Sequence, residues 1–203
     1  MAESQRLVII RKLIDRLKEE KEYEIAANQV KQGIKANDVR DTEIPLLVDM
    51  LLQIQKQMFE KEVEFMDTVE MVVDEFTTTG DFDAATRLIK APFPHHLNMN
   101  SNSFLDQLNL MILYHHGDIK AFDTALERIM SSEVDFRPRI AHIMGYRLID
   151  TGLTEAYDTA MTITEQGLKQ AKKDKDEVMI NRFTHLSRRI KKLKKKAHKS
   201  GHR

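Results

Sequence analysis

The chain of 203 residues has no cysteine, no tryptophan, only four prolines and only seven glycines. Without cysteine it has no disulfide scaffold, no thiol nucleophile and no cysteine-ligated zinc or iron–sulfur site. The scarcity of glycine and proline argues against an all-β protein, and no apolar run approaches the roughly 18 residues of a membrane-spanning helix. Because 41% of the residues are hydrophobic, wholesale disorder is not expected either. These absences favour a helical protein with a buried core.

Sequence motifs of catalysis are also missing. The chain has neither a phosphate-binding glycine loop nor a Gly-x-Ser-x-Gly nucleophile elbow, and its carboxylates fall on the expected solvent-facing sides of helices. We therefore do not expect an enzyme, and we expect no catalytic residue, no cofactor and no small-molecule substrate.

The histidines do not have the spacing of metal ligands. They include two adjacent pairs, His95-His96 and His115-His116, and neighbouring side chains on a helix point about 100° apart. No His-Glu-x-x-His motif is present. We therefore expect no metal site. For His142 the expected environment is an ordinary interhelix hydrogen bond.

Charge is balanced overall but segregated along the chain. The 32 Lys+Arg equal the 32 Asp+Glu, yet residues 187–203 carry nine bases and no acid. The preceding 186 residues therefore hold 23 bases against 32 acids. A second pole, residues 60–83, carries nine acids and a single base, Lys61. The neutral total says nothing about partners, so each pole needs its own interpretation.

Apolar residues recur with helical spacing along nearly the whole chain. Near the N-terminus this spacing predicts helices over residues 4–19 and 23–34. Asp41 or Thr42 is the expected N-cap of the next helix. Because no Gly or Pro interrupts the stretch from Leu46 to Thr79, residues 43–78 form either one long helix or two helices joined by a subtle break.

Three glycines mark a repeat in the second half of the chain. Gly80, Gly117 and Gly152 lie 37 and 35 residues apart, and an alanine follows each of them four residues later. The surrounding segments align as FTTTGDFDAATRLI, LYHHGDIKAFDTALERI and LIDTGLTEAYDTAMTI. Such a period with matching apolar columns is typical of helix–turn–helix repeats, in which glycine permits the sharp turn. Neither helix buries its apolar stripe alone, so the pattern predicts stacked repeats.

One segment resembles a known repeat family. Residues 129–163, IMSSEVDFRPRIAHIMGYRLIDTGLTEAYDTAMTI, resemble a repeat of the pentatricopeptide and tetratricopeptide superfamily, with a loop ending in Pro138, then Gly152 and Glu155-Ala156. This resemblance implies an α-solenoid. For pentatricopeptide proteins it also implies RNA binding in organelles, with one base read per repeat.

The resemblance extends over about residues 66–170 and implies two base-reading positions in each repeat. The first position, early on the first helix, falls on apolar residues, namely Met71, Leu108 and Ile143. The second, at the end of the loop, falls on Met66, Ser103 and Pro138. Only Ser103 can hydrogen-bond a base edge. We therefore expect a helical scaffold that binds structured RNA or protein through its surface rather than a reader of bases.

The C-terminal segment combines a helical seam with basic side chains. The apolar seam has a 4-3-4-3-4 spacing and consists of Met179, Phe183, Leu186, Ile190, Leu193 and Ala197. We expect the basic residues on the other faces to contact RNA phosphates; they are Arg188, Arg189, Lys191, Lys192, Lys194, Lys195, Lys196 and Lys199. No aromatic residue interleaves these bases, so base stacking is not expected. The alternatives are a solvated or protein-facing end of the array and a membrane-binding or targeting helix.

The acidic stretch has the opposite expected role. It repels nucleic acid and is a candidate surface for a basic protein partner, with Glu62, Glu64 and Asp67 as the expected contacts. A solvated helix face is the alternative.

Together these patterns predict an all-α protein, an α-solenoid of about eight or nine helices in one continuous domain. Residues 1–60 are the atypical N-terminal helices, 61–172 the repeats and 173–203 the basic C-terminal helix and tail. The expected function is non-enzymatic association with RNA or a ribonucleoprotein, such as a mitochondrial ribosome or messenger RNA complex. The alternative is a protein–protein interaction scaffold or adaptor that binds a partner helix or peptide, without RNA. A mitochondrial location follows from the resemblance alone; otherwise we expect the cytoplasm, and neither secretion nor a membrane partner.

Overall fold

The computed structural model describes residues 3–60, 63–93, 102–130, 136–154 and 156–200. Within these ranges the regular secondary structure is entirely helical, which confirms the all-α class. It consists of ten α-helices and one short 3-10 helix, so the expected eight or nine helices were too few. The chain divides into two compact units, Met1–Gly117 and Asp118–Arg203. The solenoid arrangement and the three sequence-based segments stay predictions.

The first unit contains six α-helices whose neighbours along the chain mostly pack together. They are α1 (Gln5–Glu19), α2 (Tyr23–Lys35), α3 (Ile44–Phe59), α4 (Phe65–Thr78), α5 (Phe82–Ile89) and α6 (Asn102–His116). Helix α4 contacts α3, α5 and α6, and α2 contacts α1, α3 and α5. The apolar stripes meet in a core in which Ile34, Leu47 and Phe76 are fully buried.

The second unit contains four α-helices. They are α7 (Ile119–Met130), α8 (Pro138–Asp150), α9 (Ala156–Lys173) and α10 (Glu177–Ser200). Helices α8, α9 and α10 all contact one another. An ion pair between Arg147 of α8 and Asp123 of α7, with 3.7 Å between nitrogen and oxygen, joins α7 to this group.

The predicted glycine turns are confirmed. Gly80, Gly117 and Gly152 have φ angles of 82°, 79° and 72°, in the left-handed region that glycine adopts without a steric penalty. After Gly80, the backbone N–H of Asp81 donates to the carbonyl of Phe76 at 2.7 Å, which closes the end of α4. The helices on either side of the turn contact each other in the α4–α5 and α8–α9 pairs.

Residues 43–78 form two helices, which settles the alternative left open by the sequence. Helix α3 ends at Phe59, and Glu60 follows with a φ of 50°, again in the left-handed region. Lys21 and Lys175 have the same conformation in the turns after α1 and α9. These three turns were not recognisable from a search for glycine, because a charged residue carries the left-handed conformation.

The predicted N-cap at Asp41 or Thr42 is wrong. These residues and Glu43 form the 3-10 helix, and α3 begins directly after it. The buried carboxylate of Glu43 accepts hydrogen bonds from the backbone N–H of Arg40 at 3.0 Å and of Ser4 at 2.7 Å. Burial raises the pKa of Glu43, but these backbone donors outweigh it and the pKa lies below its usual value. Glu43 therefore ties the start of α1 to the start of α3.

Replacing Gly152 tests the turn conformation. Nothing lies within 4 Å of a Cβ added there, so the cost of Gly152→Ala comes from the backbone alone. We expect this variant to lose about 1 kcal/mol of unfolding free energy, and Gly152→Asn to lose less, because asparagine tolerates the left-handed region. Urea unfolding followed by circular dichroism measures the unfolding free energy of both variants. A larger loss in the asparagine variant would contradict the left-handed conformation assigned to Gly152.

Candidate nucleic-acid interface on the last helix

The apolar seam of α10 faces the core of the second unit, as its spacing predicts. Phe183, Leu186 and Ile190 are fully buried, and Met179 is nearly so. Further along, Leu193 and Ala197 are partly buried. They pack against a cluster formed by Leu186 and Ile190 with three residues of α8 and α9, namely Ile149, Tyr157 and Ala160. The seam therefore fixes which side of α10 points into the protein.

Two glycines in the middle of α8 and α9 let α10 approach closely. A Cβ on Gly167 would lie 2.2 Å from the Phe183 ring and 2.9 Å from the Cβ of Ala141. A Cβ on Gly145 would lie 2.7 Å from the Leu186 side chain. Sequence reasoning missed both positions. The available signal was the presence of glycine inside helical patterns in a chain with few glycines.

Four of the predicted phosphate-binding residues share the outward side of α10. Arg188, Lys191, Lys192 and Lys195 are all exposed. With about 100° of rotation per residue, the four lie within an arc of about 100° opposite the seam. The structure thus collects them into one surface, called the basic ridge from here on.

Two other residues predicted to bind phosphate form ion pairs within the chain. Arg189 lies 3.3 Å from the carboxylate of Asp150 on α8, and its guanidinium lies 5.2 Å from the centre of the Tyr146 ring. Lys194 pairs with Asp158 near the start of α9. These contacts place a carboxylate on each flank of the basic ridge. No local sequence signal pairs these residues, because they meet across separate helices.

The last two predicted residues lie towards the end of α10. Lys196 is exposed and makes a contact within the protein. The side chain of Lys199 lies outside the described residues, although its backbone belongs to α10. The basic ridge therefore consists of Arg188, Lys191, Lys192 and Lys195.

The described residues of the acidic stretch do not form a single continuous face. Glu64 and Asp67 are exposed at the start of α4, and Asp67 makes a contact within the protein, whereas Glu62 lies outside the described residues. Glu70 is buried, and Glu75 pairs with a lysine of α2 at 2.6 Å. Part of the acidic charge is thus used inside the first unit.

Charge divides between the two units. Residues 1–117 carry 13 Lys+Arg against 20 Asp+Glu, a balance of −7, and residues 118–203 carry 19 against 12, a balance of +7. The neutral total of the chain is therefore the sum of an acidic and a basic unit. A polyanion approaching the second unit meets a net positive body whose densest positive surface is α10.

His142 does not make the expected interhelix hydrogen bond. Its Nε2 is buried without a hydrogen-bond partner, and its ring lies edge-on to the rings of Tyr146 at 4.8 Å and Phe183 at 5.7 Å. Burial lowers the pKa of His142 to about 4, with a smaller contribution from the charge of Arg182. His142 is therefore a half-buried ring that packs against Tyr146 and Phe183.

The histidine pairs offer no metal site in the described part of the chain. His95 and His96 lie outside the described residues. His115 lies edge-on to the ring of Tyr114 at 5.2 Å, and His116 lies edge-on to Phe82 at 4.9 Å. Within the described ranges no group of three or more potential ligands is arranged to hold a metal ion. None of the helices described there has the length and hydrophobicity of a membrane span.

Comparison with known proteins returns no relative. No family model, no curated protein and no solved structure matches the chain. The likeness to pentatricopeptide and tetratricopeptide repeats therefore rests on the residues of this chain alone.

Replacing Gly167 tests the close contact between α9 and α10. Gly167→Ala puts a methyl group against the fully buried Phe183 ring, which must move together with its helix. We expect a loss of about 1–3 kcal/mol in unfolding free energy, even though alanine favours a helix more than glycine does. In the matched Gly145→Ala variant the main obstacle is the flexible end of Leu186, so the loss should be smaller. A Gly167→Ala protein at least as stable as the parent in urea unfolding would overturn this packing argument.

Acidification should destabilise the second unit through His142. The folded pKa is about 4 and the unfolded pKa is about 6.5, so the unfolded chain binds more protons between these values and stability falls with falling pH. From pH 7 to pH 5 the expected contribution is about 1 kcal/mol, because solvent reaches the half-buried ring and screens its charge. His142→Phe removes the titration, and its urea midpoint should fall less over the same interval. Identical pH dependence of the two proteins would show that His142 does not titrate as described.

Proposed function

We propose that this chain is a non-enzymatic, RNA-associated helical-repeat protein whose basic ridge holds the phosphate backbone of an RNA. The finer fold assignment, an α-solenoid of stacked repeats, belongs to the same proposal. So does a place in a ribonucleoprotein, for which a mitochondrial ribosome or messenger RNA complex is the leading candidate because of the repeat resemblance.

The observation that carries the proposal is the outward orientation of the basic ridge. The buried seam turns Arg188, Lys191, Lys192 and Lys195 to solvent together, with no acid on that side of the helix after Glu177. Lysine and arginine that neutralise phosphates release condensed counterions, which gives affinity without reading bases. A membrane surface fits less well, because the apolar side of α10 is buried in the protein's own core and is not free to insert.

A protein–protein scaffold without RNA is the second candidate. It is supported by the exposed carboxylates of Glu64 and Asp67 and by the −7 balance of residues 1–117, which suit a basic partner. Glu62, lying outside the described residues, belongs to this surface by sequence alone. A partner that survives RNase treatment and is lost on charge reversal at Glu64 and Asp67 would favour this candidate.

Neutralising the basic ridge should abolish most RNA binding. The test variant changes four residues together: Arg188→Gln, Lys191→Gln, Lys192→Gln and Lys195→Gln. With about four phosphate contacts, the parent should show a slope of about −3 to −4 in log K against log salt. The variant should bind a structured RNA hairpin about tenfold or more weaker at low salt, with a nearly flat slope. Fluorescence anisotropy across a salt series measures both quantities.

A matched control removes the same charge from the first unit. Four exposed bases there are changed to glutamine: Arg6, Lys12, Lys21 and Lys90. This control should keep the parent's affinity and slope, since net charge alone is not the cause of binding. If both variants bind like the parent, or both lose binding equally, the basic ridge is not the RNA site. Circular dichroism checks that each variant is folded.

A further inference from the structure

Building on the RNA association proposed above, we propose that the ligand of the basic ridge is base-paired RNA, held by phosphates of both strands without base readout. This names the substrate class of the same site. Three features support it: the shape of the ridge, the divergence of its side chains and the burial of Phe183 and Tyr157 nearby.

None of the four residues of the basic ridge is aromatic. Proteins that hold single strands combine a positive groove with aromatic side chains on which bases stack. Between Arg188 and Ala197 the sequence has no aromatic residue. Of the aromatic residues of α10 before the ridge, Phe183 is fully buried and only the single ring of His185 is exposed, and Tyr157 of α9 is nearly buried. Tyr146 lies beneath the guanidinium of Arg189. Beyond the single ring of His185 and the Arg188 guanidinium, the bases of a single strand would therefore find no row of aromatic rings on which successive bases could stack.

The ridge is convex and bounded by negative charge. It is the outer side of one helix, about 10 Å wide with its side chains. Asp150 lies on one flank, paired with Arg189, and Asp158 lies on the other, paired with Lys194. A flexible strand that curled around the helix would approach these carboxylates. A convex strip of this width instead suits a rigid double helix, which presents two rows of phosphates with a groove between them.

The side chains of the ridge diverge in two directions, which suits the two rows of phosphates of a double helix. Along the helix, Arg188 and Lys195 are about 10 Å apart, at 1.5 Å per residue. Between them, Lys191 and Lys192 point about 100° apart, so their long stems reach to opposite sides of the strip. Such a pattern addresses phosphates on both sides of a groove better than it follows a single backbone. Since no ridge side chain is positioned by others to read a base edge, binding should not depend on sequence.

Competition between matched nucleic acids tests the inference on the full chain. The probes are an RNA duplex of about 20 base pairs, its two separate strands, a duplex of scrambled sequence and a DNA duplex of the parent sequence. We expect the RNA duplex to bind about tenfold tighter than either strand, with a slope near −3 to −4 in log K against log salt. The scrambled RNA duplex should bind within about twofold of the parent duplex.

Failure of the duplex inference can be distinguished from failure of the proposed RNA association. Equal or tighter binding of a single strand, or loss of affinity on scrambling, would overturn the duplex inference while leaving RNA binding intact. A DNA duplex that binds about tenfold tighter than the RNA duplex would overturn the choice of RNA. If no nucleic acid binds, both the proposed function and this inference fail. The glutamine variant of the ridge should lose duplex binding, whereas the first-unit control should retain it.

Discussion

The packing of α10 against α8 and α9 is the constraint on which the rest of the site depends. Phe183 and Leu186 lie against Gly167 and Gly145, where even one added carbon would collide with them. This fit sets the rotation of α10 about its own axis, and ion pairs from Asp150 and Asp158 hold its two flanks. A strongly basic segment would repel itself and stay extended if it had no seam. Here the buried seam converts it into an oriented surface.

Charge segregation allows a chain of zero net charge to present a strongly basic surface. The two units carry −7 and +7, so the neutral chain is not a neutral surface. At physiological salt, interactions between exposed charges fade over roughly 8 Å. A bound polyanion therefore responds to the basic side chains close to it rather than to the net charge of the chain. The four residues of the basic ridge are exposed to such a polyanion, while Arg189 and Lys194 already have carboxylate partners.

The sequence was sufficient for features that depend on local periodicity. The seam of α10 and the turns at Gly80, Gly117 and Gly152 follow from spacing and from the conformational freedom of glycine. It was insufficient where the cause is tertiary. The break at Glu60 relies on a left-handed charged residue, and the environment of His142 depends on rings that meet only after folding. For the same reason the sequence placed all eight basic residues in one site, although two of them pair across helices.

Lysine footprinting tests the proposed RNA interface on α10 most directly, because it reports on each lysine side chain of the protein without any substitution. Acetylation of the full chain, with and without bound RNA, is read by mass spectrometry. We expect protection of Lys191, Lys192 and Lys195 in the complex. Lys169 and Lys172, exposed on α9, should stay reactive. Uniform protection of all five lysines, or unchanged reactivity at the three ridge lysines, would contradict an RNA interface formed by the outward face of α10.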